Sequence, residues 1–409
     1  MHSEPCQLSK HKFSQEDRLL LLLARRTLTK NIHSEATRLL DQQLDWNHIL
    51  RRSRIHHVSP LLYDNLKKFK FNRIPQEIRA ELEVRYRTNA IWSVLSLREL
   101  KRILIQFSKI QVPVVPLKGL PLAASLYGKI ALRDVGDIDI LVPREKVKQA
   151  FKVLLSMGYK TDMPYDDAIK LGESSGQFSF VRFDGLLDYL VELHWSVFWG
   201  PMVQRGLDDL WAETRLKSVF GTRVNTLSPE WELLFLASHA AYHHTWQKLK
   251  WLVDIHELCS QVEIDWPRLW TKAKLFGIEY MLQLTLNICY ASFQTETLAH
   301  FSKPIPSWIT VFPDSRSDAE IAPGQPLSFD LHAISVQLRL IPRPFDKARH
   351  IFFLVLTPTS AEQGLIHLSQ HLEPFYSVIR IVNVGCKLYY LLLDAGYRFM
   401  LCIYRRMTA

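Results

Sequence analysis

The chain has 409 residues, more than one typical domain holds, and this length predicts two or three domains. Its 47% hydrophobic and 22% charged residues are ordinary for a globular protein and exclude a disordered, fibrous or disulfide-stapled chain. A formal net charge of +10 weakly favours polyanionic partners such as nucleotides, nucleic acid or an anionic membrane surface.

Residues 1–110 carry the pattern of helices. Apolar residues recur at three- and four-residue spacing, as in LLLLLARRTL and AIWSVLSLRELKRILIQF. Ser14 with Asp17 predicts a capping box at the start of the first helix, and Pro60 predicts a break. The apolar run from Leu19 to Ala24 is too short for a signal peptide and follows acidic residues, so we expect no export signal.

Residues 111–225 have a different pattern and predict a small mixed sheet. VPVVPLKG is β-branched and bounded by prolines, which indicates a strand, and LPLAASLYG then indicates a helix. DIDILV predicts a second strand, followed by a helix that ends at Gly158. QFSFVRF and LLDYLVELHW predict two strands joined at Asp184-Gly185, a hairpin signal. The sequence therefore predicts an α+β fold, in which helical regions flank a small mixed-sheet core.

Helices return in residues 226–302, and the Pro- and Ser-rich residues 303–328 predict a linker or loop. Residues 329–409 predict a mainly helical region with a short apolar run, IFFLVL. The apolar stretch 384–404 contains charged residues, so it predicts an amphipathic packing helix and no transmembrane segment. These charged residues are Lys387, Asp394 and Arg398.

The five cysteines are scattered and form no C-x-x-C pair. An odd, scattered set is typical of reduced thiols in a cytoplasmic protein and argues against structural zinc. We therefore expect a cytoplasmic location. The cysteines are Cys6, Cys259, Cys289, Cys386 and Cys402.

The segment DIDIL holds the first candidate site residues, Asp137 and Asp139. Side chains alternate along a strand, so both carboxylates point to one face, about 6–7 Å apart. Like charges at that distance repel unless a cation lies between them, and oxygen ligands favour Mg²⁺ or Mn²⁺. A D-x-D pattern also arises by chance, and the alternative is a solvated pair on an edge strand.

Lys118-Gly119 lies at a predicted strand-to-helix turn, where free N–H groups and the positive end of the helix suit a phosphate. Gly119 allows close approach of the backbone, and Lys118 adds a charge. Arg133 can neutralise a phosphate or brace the carboxylates. The alternatives are a surface lysine beside a turn, and a salt bridge from Arg133 to Asp134 or Asp137.

A third carboxylate is expected on a neighbouring strand. Glu192 lies in the apolar run VELHW, where an unpaired acid is costly, and His194 shares its face. Glu192 can complete a metal site and accept the proton of an incoming hydroxyl. Asp188 lies on the same face and competes for this role. The alternative for Glu192 is a strand-edge acid paired with an arginine.

This segment resembles the DNA polymerase β-like nucleotidyltransferase superfamily, whose pattern is a glycine-containing turn, a helix, a D-h-D strand and a later third acid. It looks closest to uncharacterised bacterial nucleotidyltransferases often encoded beside lasso-peptide or exopolysaccharide biosynthesis genes. It is similar also to abortive-infection toxins, whose signature is K-G-G followed by R-x-x-x-D-h-D. The likeness includes RIHHVSPLLYDNL, L-H-W and LKWLVDI, and it covers about two-thirds of the chain.

The resemblance implies roles for individual residues. Asp137, Asp139 and Glu192 would be catalytic and would bind two Mg²⁺ (or Mn²⁺) ions, while Lys118, Gly119 and Arg133 would bind the nucleotide. The sequence departs from the superfamily pattern in three ways. Leu120 replaces a second small residue, Glu replaces the more frequent Asp at 192, and seventeen residues, more than usual, separate Gly119 from Asp137.

Three other patterns are better explained by packing or by a solvated surface than by chemistry. His239, His243 and His244 form H-x-x-x-H-H in a predicted helix, but the glutamate of H-E-x-x-H is missing. We interpret them as packing histidines or as contacts to base and phosphate, and we favour both interpretations over a zinc site. The tryptophans of the region are interpreted as core, and a basic patch around His56-His57 as a solvated helix face.

The predicted function is transfer of a nucleoside monophosphate from an NTP to an unidentified hydroxyl-bearing acceptor: a small molecule, sugar, peptide or protein. One alternative is the same chemistry on RNA or tRNA, so nucleic acid is an open but not favoured partner. The other is an inactive binding or scaffold protein in a biosynthetic cluster. The intact Lys118, Asp137 and Asp139 argue against inactivity, and Leu120 argues weakly for it. The oligomeric state is left open.

Overall fold

The computed structural model describes residues 13–161, 165, 169, 176–185, 187–202, 206–219, 221–309, 311–312, 331–356 and 375–386. The chain divides into two compact units, Met1–Pro313 and Asp314–Ala409. The boundaries near 110, 225 and 302 fall inside the first unit. They therefore mark changes of secondary structure, and as domain boundaries they stay predictions.

The N-terminal part of the first unit is helical, as the sequence predicts. The Ser14 hydroxyl accepts a hydrogen bond from the Asp17 N–H at 3.1 Å and caps the first helix. Pro60 lies in the first turn of the fourth helix, where its missing N–H costs no helical hydrogen bond, so the break precedes it. The helices are α1 (Gln15–Leu23), α2 (Lys30–Leu40), α3 (Trp46–Ile55), α4 (Ser59–Lys68) and α5 (Gln76–Lys109).

A four-stranded mixed sheet follows, with order β1-β2-β4-β3. The strands β2 and β4 are parallel, and the two outer pairings are antiparallel. The predicted hairpin is confirmed: Asp184 Oδ1 accepts a hydrogen bond from the Leu187 N–H, and Gly185 has a φ of +92°. The strands are β1 (Val115–Pro116), β2 (Ile138–Leu141), β3 (Gln177–Phe183) and β4 (Asp188–His194). The predicted α+β fold is thus confirmed.

Short helical segments connect the first strands. The helix α6 (Gly119–Leu122) continues as a π-helical turn, Ala123–Tyr127, and a 3₁₀ turn, Ile130–Leu132, precedes β2. After β2, α7 (Val147–Ser156) ends two residues before Gly158, whose φ of +87° stops the helix as predicted.

A second hairpin was not predicted from the sequence. It pairs β5 (Arg215–Val219) with β6 (Thr222–Thr226) and follows the short helix α8 (Asp208–Ala212). Most of β5 is exposed, so it lacks the alternation of apolar and polar residues that identifies a half-buried strand.

Four longer helices and a 3₁₀ helix, Glu296–Phe301, follow in the first unit. The longer helices are α9 (Pro229–Ser238), α10 (Leu249–Gln261), α11 (Trp266–Phe276) and α12 (Glu279–Phe293). A π-helical turn, His239–His243, continues α9.

The core of the sheet lies between its apolar face and the helices α5 and α7. Ile138 and Ile140 of β2 and Val191 and Leu193 of β4 are all at most 4% exposed and pack in this cluster. Because side chains alternate along β2, burying the isoleucines directs the acidic residues to the opposite face.

The second unit contains α13 (Leu331–Leu340), α14 (Pro344–Leu356) and the helical residues 375–386. The apolar run 351–356 belongs to α14, and most of the predicted linker 303–328 and of the stretch 384–404 lies outside the described residues. Within the part of the chain that the structure describes, no helix is long and apolar enough to cross a bilayer. Cys259, Cys289 and Cys386 are free thiols, while Cys6 and Cys402 lie outside the described residues.

Candidate active site

Two parallel strands bring the acidic residues together. Asp139 lies on β2 directly opposite Glu192 on β4, and Asp137 immediately precedes β2. Neighbouring strands lie about 4.8 Å apart, so facing side chains on one face of the sheet are in reach of each other. The structure thus places all three predicted carboxylates at one location.

Lys118 lies among these carboxylates. Its Nζ is 2.9 Å from Asp139 Oδ1, 3.3 Å from Asp137 Oδ2 and 3.8 Å from Glu192 Oε2. Lys118 is only 7% exposed, so its ammonium charge is balanced by these acids rather than by water.

The turn that carries Lys118 has an unusual backbone. The φ angles of Lys118 and Gly119 are +32° and +31°, values that side-chain-bearing residues rarely adopt. A Cβ on Gly119 would lie 3.6 Å from the carbonyl oxygen of Asp137, which is an ordinary contact. Glycine is therefore favoured at this position by the positive φ and not by a lack of space. Lys118 adopts the same region with a full side chain, and such strain concentrates at functional sites.

The ionic groups shift one another's pKa values. Burial and the charge of Asp137 raise the pKa of Asp139 to about 6, against the opposing charge of Lys118. Burial alone would raise the pKa of Glu192, but Lys118 and hydrogen bonding to His194 lower it below its usual range. For Lys118 burial opposes the charge, yet the three carboxylates raise its pKa above the ordinary value. Lys118 and Glu192 are therefore charged at neutral pH.

His194 is a neighbour whose contacts the sequence did not predict. Its Nε2 lies 3.1 Å from Asp139 Oδ1 and 3.5 Å from Glu192 Oε2, and the residue is 1% exposed. Among the described residues, Asp139, Glu192 and His194 form the set whose potential metal-ligand atoms all lie within 4.8 Å of one another. Asp137 is not part of this compact set.

The competing third acid, Asp188, lies elsewhere. It is exposed at the start of β4, opposite Phe183, whereas Glu192 is opposite Asp139. Four residues of strand span about 13 Å, too far for Asp188 to join the other carboxylates. Glu192 is therefore the acid that the geometry brings to the pair.

Arg133 has a different partner from the two considered in the sequence. Its guanidinium makes a two-pronged ion pair with Asp254 of α10, at 2.9 Å and 2.8 Å, and the Tyr127 hydroxyl donates to the same carboxylate at 2.6 Å. Arg133 and Asp254 are 4% and 0% exposed. The alternative of a salt bridge from Arg133 to Asp134 or Asp137 is therefore wrong, and the partner is Asp254. The buried acid on α10 offers both of its oxygens to the guanidinium.

The three histidines lie beside the site. His239 Nε2 is 3.5 Å from Lys118 Nζ, His243 stacks on Trp199, and His244 stacks on Trp251 with ring centroids 3.6 Å apart. Burial lowers the pKa of His243 to about 4, so it is neutral at neutral pH. The rings of these histidines pack against tryptophan or histidine rings, and among the described residues they belong to no compact set of metal-ligand atoms. The H-x-x-x-H-H pattern was visible in the sequence, but its approach to Lys118 was not.

A family model described as an uncharacterised nucleotidyltransferase matches residues 42–294. The match covers more than half of the chain, and the chain therefore belongs to this family of nucleotidyltransferases. A search of curated proteins gives no match.

Three solved structures are similar in part. The antibiotic-resistance factor ANT(2'')-Ia is 14% identical, with 46% of this chain and 94% of that chain covered and a TM-score of 0.33. The lincosamide antibiotic adenylyltransferase LnuA, solved with lincomycin, is 18% identical, with 40% and 97% covered and a TM-score of 0.30. An antigenic nucleotidyltransferase-like protein from Paracoccidioides brasiliensis is 16% identical, with 55% and 95% covered and a TM-score of 0.33.

Proposed function

We propose that this chain is a metal-dependent enzyme that transfers a nucleoside monophosphate from an NTP to a hydroxyl group of an acceptor molecule. The observation that carries the proposal is the convergence of Asp137, Asp139 and Glu192 on one buried ammonium, beside the strained Lys118-Gly119 turn. Membership of the nucleotidyltransferase family supports the reaction class.

The acidic residues fit a divalent cation. Asp139 is 2% exposed, and within the described structure its Oδ2 has no hydrogen-bonding partner, which is costly for a buried charged group. Carboxylates are ligands of both Mg²⁺ and Mn²⁺, and we assign Asp137, Asp139 and Glu192 to hold the ion. When bound, such an ion stabilises negative charge on the phosphates during in-line displacement.

Lys118 and Gly119 are assigned to the triphosphate. With a metal ion balancing the carboxylates, the Lys118 ammonium is available to pair with a phosphate oxygen. The positive φ of Gly119 turns the backbone at the start of α6, where a side chain would add strain.

Glu192 is assigned a second role, as acceptor of the hydroxyl proton. Its side chain is 17% exposed, while that of Asp139 is fully buried, so Glu192 lies on the side of the cluster that an acceptor reaches. Its lowered pKa keeps it ionised at neutral pH and therefore able to take a proton.

Arg133 is given a positioning role. Its Nε and Nη2 donate to Asp254 and its Nη1 donates to the Asp134 carbonyl oxygen at 3.4 Å, so contact with phosphate is not needed to explain the residue. Through this pair it ties the segment before β2 to α10, which fixes where Asp137 and Asp139 begin their strand.

The experiment is incubation of the protein with each labelled NTP, Mg²⁺ or Mn²⁺, and a cell extract. We expect one nucleotide to label an acceptor, and the labelled fraction (small molecule, glycan, protein or RNA) identifies its class. Failure of every NTP with both metals would contradict the proposal.

The matched pair of variants is Glu192→Gln and Asp188→Asn, two acids on one strand. We expect Glu192→Gln to slow transfer by about two orders of magnitude, the scale of lost general-base help. Asp188→Asn should match wild type because Asp188 is remote from the cluster. If only Asp188→Asn is inactive, the third carboxylate is misassigned.

A further inference from the structure

The sheet face that carries the acids also carries one imidazole. His194 follows Glu192 by two residues on β4 and so points to the same face. Its Nε2 is 3.1 Å from Asp139 Oδ1 and 3.5 Å from Glu192 Oε2. Adjacent ligands of an octahedral ion with bonds of about 2.1 Å lie about 3 Å apart, close to this spacing.

An unsatisfied buried atom points to a cation independently of that spacing. His194 and Asp139 are 1% and 2% exposed. Among the described residues, Asp139 Oδ2 has no hydrogen-bonding partner. A buried carboxylate oxygen without a donor is costly, and a metal ion at the cluster would satisfy it.

We propose that His194 is a metal ligand, which makes the centre a mixed oxygen and nitrogen site that prefers Mn²⁺ to Mg²⁺. Magnesium strongly prefers oxygen ligands, whereas a neutral imidazole favours first-row transition dications. The inference rests on the proposed function for the presence of a metal. It adds the ligand that selects which metal binds.

Metal binding requires two exchanges at the cluster. His194 binds as a neutral imidazole through the Nε2 lone pair, so any proton on Nε2 moves to Nδ1 or to solvent. The Lys118 ammonium, now 2.9 Å from Asp139 Oδ1, leaves the cluster with its proton. The hydrogen bond between His194 and Asp139 is replaced by bonds from both residues to one ion.

The test is pulsed electron paramagnetic resonance of Mn²⁺ bound to the full-length protein without nucleotide. A directly bonded imidazole gives a ¹⁴N coupling that water and carboxylates cannot give. We compare wild type with His194→Gln, which keeps a similar volume, and with His243→Gln, which removes a nearby imidazole outside the cluster. Competition titrations measure the preference for Mn²⁺ over Mg²⁺ in all three.

We expect ¹⁴N coupling in wild type and His243→Gln and none in His194→Gln, whose Mn²⁺ preference should fall about tenfold or more. Bound Mn²⁺ without ¹⁴N coupling in wild type would overturn the inference, whether or not the variant folds. An unchanged preference in a folded His194→Gln would also overturn it. Failure of the proposed function is distinguishable: ¹⁴N coupling would be present, yet no NTP would label an acceptor.

Discussion

The Lys118 ammonium is held by the same carboxylates that are proposed to hold a metal ion. Two cations cannot occupy one position, so metal binding and the present placement of Lys118 compete. Under the proposed function, the lysine would balance the acids until metal and nucleotide arrive and would then pair with the phosphates.

The variant Lys118→Met tests this competition. Without metal it leaves three acids close together and unbalanced, so we expect a lower melting temperature than wild type. The free energy of unfolding should fall by about 3–5 kcal/mol, the scale for breaking a buried ion pair. Added Mn²⁺ should restore much of the loss and bind more tightly than to wild type. NTP affinity should fall about tenfold, the scale of one charge-assisted hydrogen bond.

Thermal unfolding over a series of Mn²⁺ concentrations, with NTP titration calorimetry, measures both effects. Lys129→Met is the control, because the ion pair of Lys129 with Asp64 is at the surface, with the lysine side chain 60% exposed. Weaker Mn²⁺ binding in Lys118→Met than in wild type would contradict the competition.

Between elements, the buried pair of Arg133 and Asp254 joins the segment before β2 to α10. Replacing Asp254 by Asn leaves a buried guanidinium without its counter-charge, so we expect a loss of about 3–5 kcal/mol. Removing both charges, with Arg133→Met and Asp254→Asn together, should cost less than the sum of the two single changes. Urea unfolding of the four proteins measures the coupling, and strict additivity would contradict it.

The helix α5 is joined to the sheet through Glu99. Its carboxylate accepts hydrogen bonds from the Tyr159 hydroxyl at 2.5 Å and from Arg182 of β3 at 2.8 Å. Burial alone would raise the pKa of Glu99, but hydrogen bonds from Arg102, Tyr159 and Arg182 lower it. A lowered carboxyl pKa stabilises the fold above the unfolded pKa, near 4.5, and this contribution is lost as the pH falls below it.

Accordingly, Glu99→Gln should be clearly less stable than wild type at pH 7, and the difference should shrink as the pH falls below about 4.5. Denaturant unfolding at several pH values measures it. Glu83→Gln on the same helix is the control, because its partner Arg87 is 73% exposed and the pair should be worth less than about 1 kcal/mol. A difference for Glu99→Gln that is independent of pH would contradict the linkage.

Across the whole molecule, the family match at 42–294 and every proposed site residue lie in the unit Met1–Pro313. A chain ending at Pro313 should therefore unfold cooperatively and bind NTP with metal about as well as the full chain. Calorimetry and circular dichroism of both chains measure this. A folded truncated chain without NTP affinity would show that Asp314–Ala409 takes part in binding.

The sequence by itself determined the features that depend on local geometry. Alternation in DIDIL places Asp137 and Asp139 on one face, Asp184-Gly185 specifies the hairpin, and Lys118-Gly119 marks the turn. Each follows from the period of a strand or the conformational range of a glycine, which a few adjacent residues define.

Only the tertiary structure decided which distant groups meet. The register of β2 on β4 puts Glu192 beside Asp139 and Asp188 far from it, although both acids share a strand face. Arg133 meets Asp254, and Lys118 meets His239, each across 121 positions of sequence. The periodicity of the sequence specifies which way a side chain points, but the packing of whole elements specifies which distant residue it contacts.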